Sequence, residues 1–331
     1  MPAILEVDNL VKKYGDFTAV KGINFSVEEG EVFGLLGPNG AGKTQTISML
    51  TGVITPTSGT ARIGGHDILQ ESDQVKKLNG LVPQDLALYP TLSARANLNF
   101  FGRIYGLKGK QLKERVDDVL EVVALTERAD QAVDKYSGGM KRRVNIAAGL
   151  VHHPRLLFLD EPTVGVDPQS RNQIFESVMH LNRERGMSVV YTSHYMEEVE
   201  TLCTRAAIID QGQIIALDTI KNLIAMLGGG VVQIGLSQVD EAMLAELSAL
   251  PGVSQATLIP QPAAPSGDGK EGTPGEMKSQ VVKIECKNSQ QALVSVISYL
   301  TQHSQTINSL ETLEPNLESV FLHLTGKKLR E

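Results

Sequence analysis

The sequence predicts two domains: an α/β domain on a parallel sheet, with an antiparallel flank and a helical insertion, then a smaller α+β domain of βαββαβ order, the ferredoxin-like pattern. Three observations carry this. Short apolar runs at 32–36 ("VFGLL"), 155–160 ("RLLFLD") and 188–194 ("SVVYTSH") alternate with helix-like stretches, as strands buried on both faces do. A glycine loop, "GPNGAGKT" at 37–44, joins the first run to a helix. A "GGG" break at 228–230 precedes a second alternation of strands and helices. At 331 residues the chain exceeds one ordinary compact domain, so residues 1–227 and 228–331 are expected to bury separate cores.

In chain order, "ILEVDNLVKKYG" (4–15) and "FTAVKGINFSVEEGE" (17–31) alternate with a period of two and form the antiparallel flank. After the loop, "KTQTISMLTG" (43–52) reads as a helix, as does "QSRNQIFESVMHLNRER" (169–185). Between them, "SARANLNFFGRIYG" (93–106) and "KGKQLKERVDDVLEVVAL" (108–125) carry apolar residues at helical spacing, a helical insertion over about 85–150. The second domain reads strand 231–236, helix 240–250, strand 253–259, strand 280–286, helix 289–300, strand 307–314 and a last helix 316–324. Its second and third strands are joined by a Pro-, Gly- and charge-rich stretch at 260–280, expected to be mobile.

Composition narrows the function classes. A net charge of −7, with only short basic clusters such as "MKRR", argues against a chain that binds nucleic acid. Cys203 and Cys286 have no second Cys or His at ligand spacing, so neither a disulfide framework nor a zinc site is expected. The start lacks the pattern of a secretion signal, and no run reaches the roughly 18 apolar residues of a membrane span. Any membrane role is expected to come through a partner.

The glycine loop fits G-x-x-x-x-G-K-[ST], with Gly37, Gly42, Lys43 and Thr44 at the fixed positions. The loop Gly37, Pro38, Asn39, Gly40, Ala41, Gly42, with Gln45 beyond it, is expected to bind the nucleotide, the backbone N–H groups of its non-proline residues surrounding phosphate, aided by the helix dipole. Lys43 would reach the β and γ phosphates and Thr44 would bind magnesium. In "RLLFLDEPT", Asp160 ends an apolar strand and Glu161 follows; Asp160 is expected to hold magnesium through its water shell, and Glu161 to deprotonate the water attacking the γ phosphate.

"GPNGAGKT", "YSGGMKRR" (136–143), "LLFLDEPTVGVDP" (156–168) and "SH" (193–194), in that order, resemble the ATP-binding subunit of an ATP-binding cassette (ABC) transporter over roughly residues 1 to 225. The resemblance implies a P-loop NTPase fold, with ATP and Mg2+ as ligands and two cassettes paired head to tail. Ser137, Gly138 and Gly139 of each would then close over the nucleotide held by the other. It further implies that Tyr14 stacks on adenine, Gln84 touches magnesium and faces the membrane partner, Asp167 crosses the dimer seam, and His194 contacts the γ phosphate. Met140 stands where many members have Gln, and Gln45 where Thr is frequent; neither removes a group the chemistry requires. "YSGGMKRR" and the tail "PNLESVFLHLTG" (315–326) resemble the ABC-2 type exporter branch.

The leading expectation is therefore an ATPase subunit that drives a separate ABC-2 type permease from the cytoplasmic face of the plasma membrane. A homodimer is favoured, pairing with a different cassette stays open, and no nucleic-acid partner is expected. A soluble ABC ATPase acting on ribosomes or DNA is the alternative. Against it stand a single cassette and a compact gap of about ninety residues between loop and signature, where the DNA-repair type has long coiled coil. A binding module with a dead site would need a missing base or lysine, and Lys43, Asp160, Glu161 and His194 are all present. The second domain is either a brace between cassettes or a ligand sensor. The transported substrate would be chosen by the permease.

Overall fold

The computed structural model describes residues 2–259, 280–313 and 315–325. The chain divides into two compact units, with the boundary between Ile220 and Lys221.

The first unit begins with strands β1 (Ala3–Tyr14), β2 (Phe17–Glu28) and β3 (Val32–Leu36), then helix α1 (Lys43–Leu50), β4 (Ser58–Ile63), β5 (His66–Asp67), α2 (Ser72–Leu78) and β6 (Asn79–Val82). Helices α3 (Ala94–Ile104), α4 (Gly109–Val122) and α5 (Gly138–Leu150) form the insertion. The chain returns through β7 (Leu156–Asp160), α6 (Pro168–Arg185), β8 (Ser188–Ser193), α7 (Met196–Leu202), β9 (Arg205–Asp210) and β10 (Gln213–Thr219).

Two sheets result. One is antiparallel, ordered β2-β1-β4-β5; the other is ordered β10-β9-β3-β8-β7-β6, parallel except for β10. Every residue of β3, β7 and β8 is buried, as continuous apolar runs covered on both faces should be. The main core lies between the sheets, where Leu5, Val20 and Phe25 of the flank meet Phe33, Leu35, Phe158 and Val190 of the central sheet and Ile47 and Leu50 of α1. Phe25 stacks on Phe33 with ring centroids 5.4 Å apart.

Polar contacts tie the insertion to α6 and to the loop after β6. Arg185 of α6 makes a two-pronged pair with Asp118 of α4 at 2.6 and 2.8 Å. From α5, buried Arg142 donates to the backbone oxygens of Pro83 (3.1 Å) and Gln84 (2.7 Å), fixing the loop that leaves β6.

Helix α8 (Ile220–Ala225) leads into the second unit: β11 (Val231–Leu236), α9 (Glu241–Ser248), β12 (Val253–Ile259), β13 (Gln280–Cys286), α10 (Ser289–Gln302), β14 (Ile307–Leu313) and α11 (Leu317–Thr325). Its sheet is antiparallel throughout, ordered β12-β13-β11-β14. Val232, Ile234, Val282 and Ile284 form a separate core with Leu247 of α9 and Val296 and Leu300 of α10. The boundary expected after Leu227 moves to Ile220. The glycine break belongs to the second unit, because Gly229 N donates to Cys286 O at 2.9 Å and Gly230 O accepts from Cys286 N at 2.9 Å. The stretch expected to be mobile, 260–280, lies outside the described residues except for Gln280, which begins β13.

Candidate active site

Three neighbouring strands end side by side. β8 runs between β3 and β7, with Leu36 opposite Ser193 and Asp160 opposite Thr192, so the segments leaving the three strands converge at one sheet edge. From β3 comes the glycine loop, from β7 the pair Asp160–Glu161, from β8 His194. Ligands in parallel sheets sit at this carboxyl end.

A cavity of about 610 Å³ opens there, lined by Tyr14, Phe17, Ala19, Asn39 to Gln45, Gln84, Glu161, Val164 and His194. Its size and lining suit one small ligand with a flat apolar part and a charged part. Gly42 precedes α1 at φ 111°, and a Cβ there would come within 2.9 Å of Ala19 O, so glycine alone fits. That turn leaves the first N–H groups of α1 without helical partners, facing the anion-favouring end of the dipole.

The charged groups form a chain. Buried Lys43 donates to Gly37 O (2.7 Å) and Pro38 O (3.1 Å) and pairs with Glu161 Oε1 at 3.0 Å. Glu161 Oε2 lies 3.1 Å from His194 Nδ1. The backbone of Glu161 sits at φ 45°, uncommon outside glycine, with its N–H donating to Thr192 Oγ1 at 2.9 Å. Thr192 Oγ1 also donates to Asp160 Oδ1 at 2.8 Å, so one hydroxyl sets both acidic residues. Burial pushes the Asp160 carboxyl up, and hydrogen bonds from Thr192 and Thr44 pull it back. Thr44 and Gln84 line the cavity, and the Thr44 hydroxyl bonds the Asp160 carboxylate, which is not itself among the lining residues; these hard oxygen donors fit a magnesium ion.

Tyr14, where stacking on adenine is expected, lines the mouth of this cavity. Tyr14 is half exposed, its hydroxyl donates to Gln45 Oε1 at 2.7 Å, and Lys12 Nζ lies 5.0 Å from the ring centre. Phe17, opposite Tyr14 across the β1–β2 turn, is 66% exposed and lines the same cavity. Sequence reasoning passed over Phe17, Thr192 and Arg142. Phe17 was detectable as the apolar residue facing Tyr14 across a Gly-Asp turn; the roles of Thr192 and Arg142 depend on contacts 31 or more positions apart.

Ser137, Gly138, Gly139 and Asp167 do not line this cavity. They form a second cluster. Ser137 caps α5, its Oγ accepting from Met140 N at 3.3 Å, and Asp167 caps α6, accepting from Ser170 N at 2.9 Å. A Cβ on Gly139 would fall 2.0 Å from Ser170 Oγ, so the close approach of the two helix starts requires glycine.

Residues 20–164 match the family model described as ABC transporter. The chain is 47% identical over 329 residues to the linearmycin resistance ATP-binding protein LnrL of Bacillus subtilis (strain 168), covering 99% of this chain and 100% of that one. The chain belongs to the ATP-binding subunits of ABC transporters. This cassette is thus an ATPase with the P-loop fold of that family. It is also 37% identical to the Nod factor export ATP-binding protein I of Cupriavidus metallidurans, with 100% of both chains covered, and 35% identical to the daunorubicin resistance ATP-binding protein DrrA2 of Streptomyces coeruleorubidus, with 98% and 95% covered. Among solved structures it resembles CbiO1 of Clostridium perfringens, part of a cbiONQ transporter complex (TM-score 0.63, 29% identity, 68% of this chain and 92% of that one). It also resembles an ATP-binding cassette solved as a dimer in a post-hydrolysis state with ADP and Pi (TM-score 0.59, 25% identity, 65% and 98% covered).

Proposed function

We propose that this chain is the ATP-hydrolysing subunit of an exporter, acting through a separate ABC-2 type permease from the cytoplasmic face of the membrane. The observation that carries the catalytic part is the Lys43–Glu161–His194 chain in one cavity with the glycine loop. Similarity along almost the whole chain to subunits named for drug resistance and Nod factor export supports the direction of transport.

The geometry supports a role for each residue. Tyr14 and Phe17 hold the adenine, and the glycine loop and Lys43 hold the phosphates. A γ phosphate brought to Lys43 competes with Glu161 for its ammonium. Glu161 Oε1 is then released to accept a proton from the attacking water, while Oε2 keeps its contact with His194, which can also donate to phosphate. Thr44, Asp160 and Gln84 would hold Mg2+, whose charge offsets that of the phosphates. The cluster of Ser137–Gly139 with Asp167 lies apart from this cavity, and we assign it to the site of a second copy in a head-to-tail homodimer. Helix starts at α5 and α6 suit that task because they present N–H donors to an anion.

For the second unit we propose a ferredoxin-like fold, supported by its βαββαβ order and by the 2-3-1-4 order of its own strands. Its role is that of a brace between cassettes.

Affinity purification of tagged Glu161→Gln chain from detergent-solubilised native cells tests the transporter reading. A polytopic membrane protein in stoichiometric amount is the expected companion. Ribosomal proteins, DNA or no companion would replace this reading with that of a soluble ATPase.

A further inference from the structure

A second acidic residue, outside the cavity, is buried more completely than the base. Glu198 of α7 is 2% exposed. Its carboxylate accepts from Thr163 Oγ1 at 2.7 and 2.9 Å, from Tyr191 OH at 2.9 Å and from Ser193 Oγ at 2.8 Å. Arg171 of α6 brings a cation near, but its Nε stands 3.6 Å away, beyond hydrogen-bond reach. A buried carboxylate held by three hydroxyls is costly unless all its partners stay in place, so it fixes the segments that bring them.

Those segments carry the machinery. Ser193 immediately precedes His194, and its Oγ, besides donating to Glu198, accepts from Tyr195 N at 2.9 Å, so the backbone is tied on both sides of the histidine. Thr163 follows Glu161 by two residues in the turn closed by Val164 N to Glu161 O (3.4 Å) and Val166 N to Thr163 O (3.1 Å), and Asp167 comes directly after it. Arg171 N bonds Asp167 O at 2.9 Å, and the Arg171 guanidinium lies 5.5 Å from the Tyr195 ring centre.

We infer that Glu198 is a positioning residue for ATP hydrolysis, holding Glu161 and His194 in register and tying both to the Asp167 turn. It does not line the nucleotide cavity. Its contacts join the turn after β7 to the end of β8 and the start of α6, so a displacement of Asp167 by a second copy reaches His194 through one carboxylate. The inference rests on the ATPase assignment.

Steady-state ATPase kinetics of the full chain test it, with thermal unfolding and binding of a fluorescent ATP analogue measured on the same samples. Glu198→Gln keeps the volume but places an amide N–H₂ among hydroxyl donors; Thr163→Val removes one donor at constant shape, and Thr163→Ser restores the hydroxyl. Glu198→Gln and Thr163→Val are each expected to lower kcat about tenfold or more, with KM and nucleotide affinity within about twofold. Thr163→Ser should recover most of the rate, and the double variant should be no slower than Glu198→Gln alone. A folded Thr163→Val or Glu198→Gln chain with lowered melting temperature but unchanged kcat overturns the inference and leaves Glu198 a polar member of the core. If Glu198→Gln does not fold, the Thr163 pair decides by itself. Wild-type chain without ATPase activity would instead count against the ATPase assignment.

Discussion

At the scale of single residues, the site is a contest for protons and for one ammonium group. Lys43 serves three oxygens, those of Gly37, Pro38 and Glu161, so with the proposed roles Lys43→Ala would remove a phosphate ligand and untie the base together. ATP affinity should fall at least about tenfold, read by equilibrium titration with a fluorescent analogue. Undiminished affinity would mean that the loop N–H groups alone hold the phosphates. Glu161→Gln leaves the contact set nearly intact but cannot take a proton, so turnover should drop by roughly 10² to 10⁴ while ATP stays bound and the chain elutes as a dimer in ATP. Wild-type turnover in that variant would remove Glu161 from the role of base. Phe17→Ala tests the second wall of the adenine platform, with an expected loss of about 1 kcal/mol, or roughly fivefold in affinity. If only Tyr14→Ala weakens binding, Tyr14 is the whole platform.

At the scale of elements, the legible parts were those whose pattern is local. The loop between β3 and α1, the acidic end of β7 and the helical spacing of α3 and α4 each declare themselves within a dozen residues. β6, "NGLV", gave no strand signal because a glycine and an asparagine occupy half of it; it is a strand because β7 pairs with it along its length. The glycines at 228–230, read as the break that opens the second unit, also begin the β11–β13 ladder, a pairing that no local pattern reveals. Long-range ties were equally invisible, including the one that fixes α4 to α6. The Arg185 guanidinium hydrogen-bonded to Asp118 holds that carboxyl below its ordinary range. A depressed carboxylate adds stability above its unfolded pKa of about 3.9 and loses it as pH falls through the folded value. Asp118→Asn should therefore cost less than about 1 kcal/mol near pH 7, discounted for the partial exposure of the pair, and progressively less as pH approaches 3. Melting curves of both chains between pH 7 and 3 check this, and a gap that stays constant with pH would show that packing, not charge, links the helices.

At the scale of the whole molecule, each of the two compact units has its own hydrophobic core. The helices α9 and α10 cover one face of the second sheet through Val232, Ile234, Val282 and Ile284; the alternate positions Val231, Gln233, Val281, Lys283 and Glu285 lie on the other face and stay partly exposed. A mixed face that carries charged side chains among half-exposed valines suits a contact that forms and breaks, unlike the apolar faces of permanent dimers. A weak contact between second units would still matter, because it raises the effective concentration of one cassette near the other after ATP is hydrolysed and the nucleotide seam opens. Truncation before Lys221 should then leave ATP affinity of the single cassette unchanged and weaken dimerisation of the Glu161→Gln background by about tenfold in sedimentation equilibrium. Transport by the truncated wild-type cassette should fall along with it. Dimerisation and transport that both survive truncation reject the brace. Loss of transport with dimerisation intact points to a sensor, since the second unit would then act on turnover without holding the cassettes together.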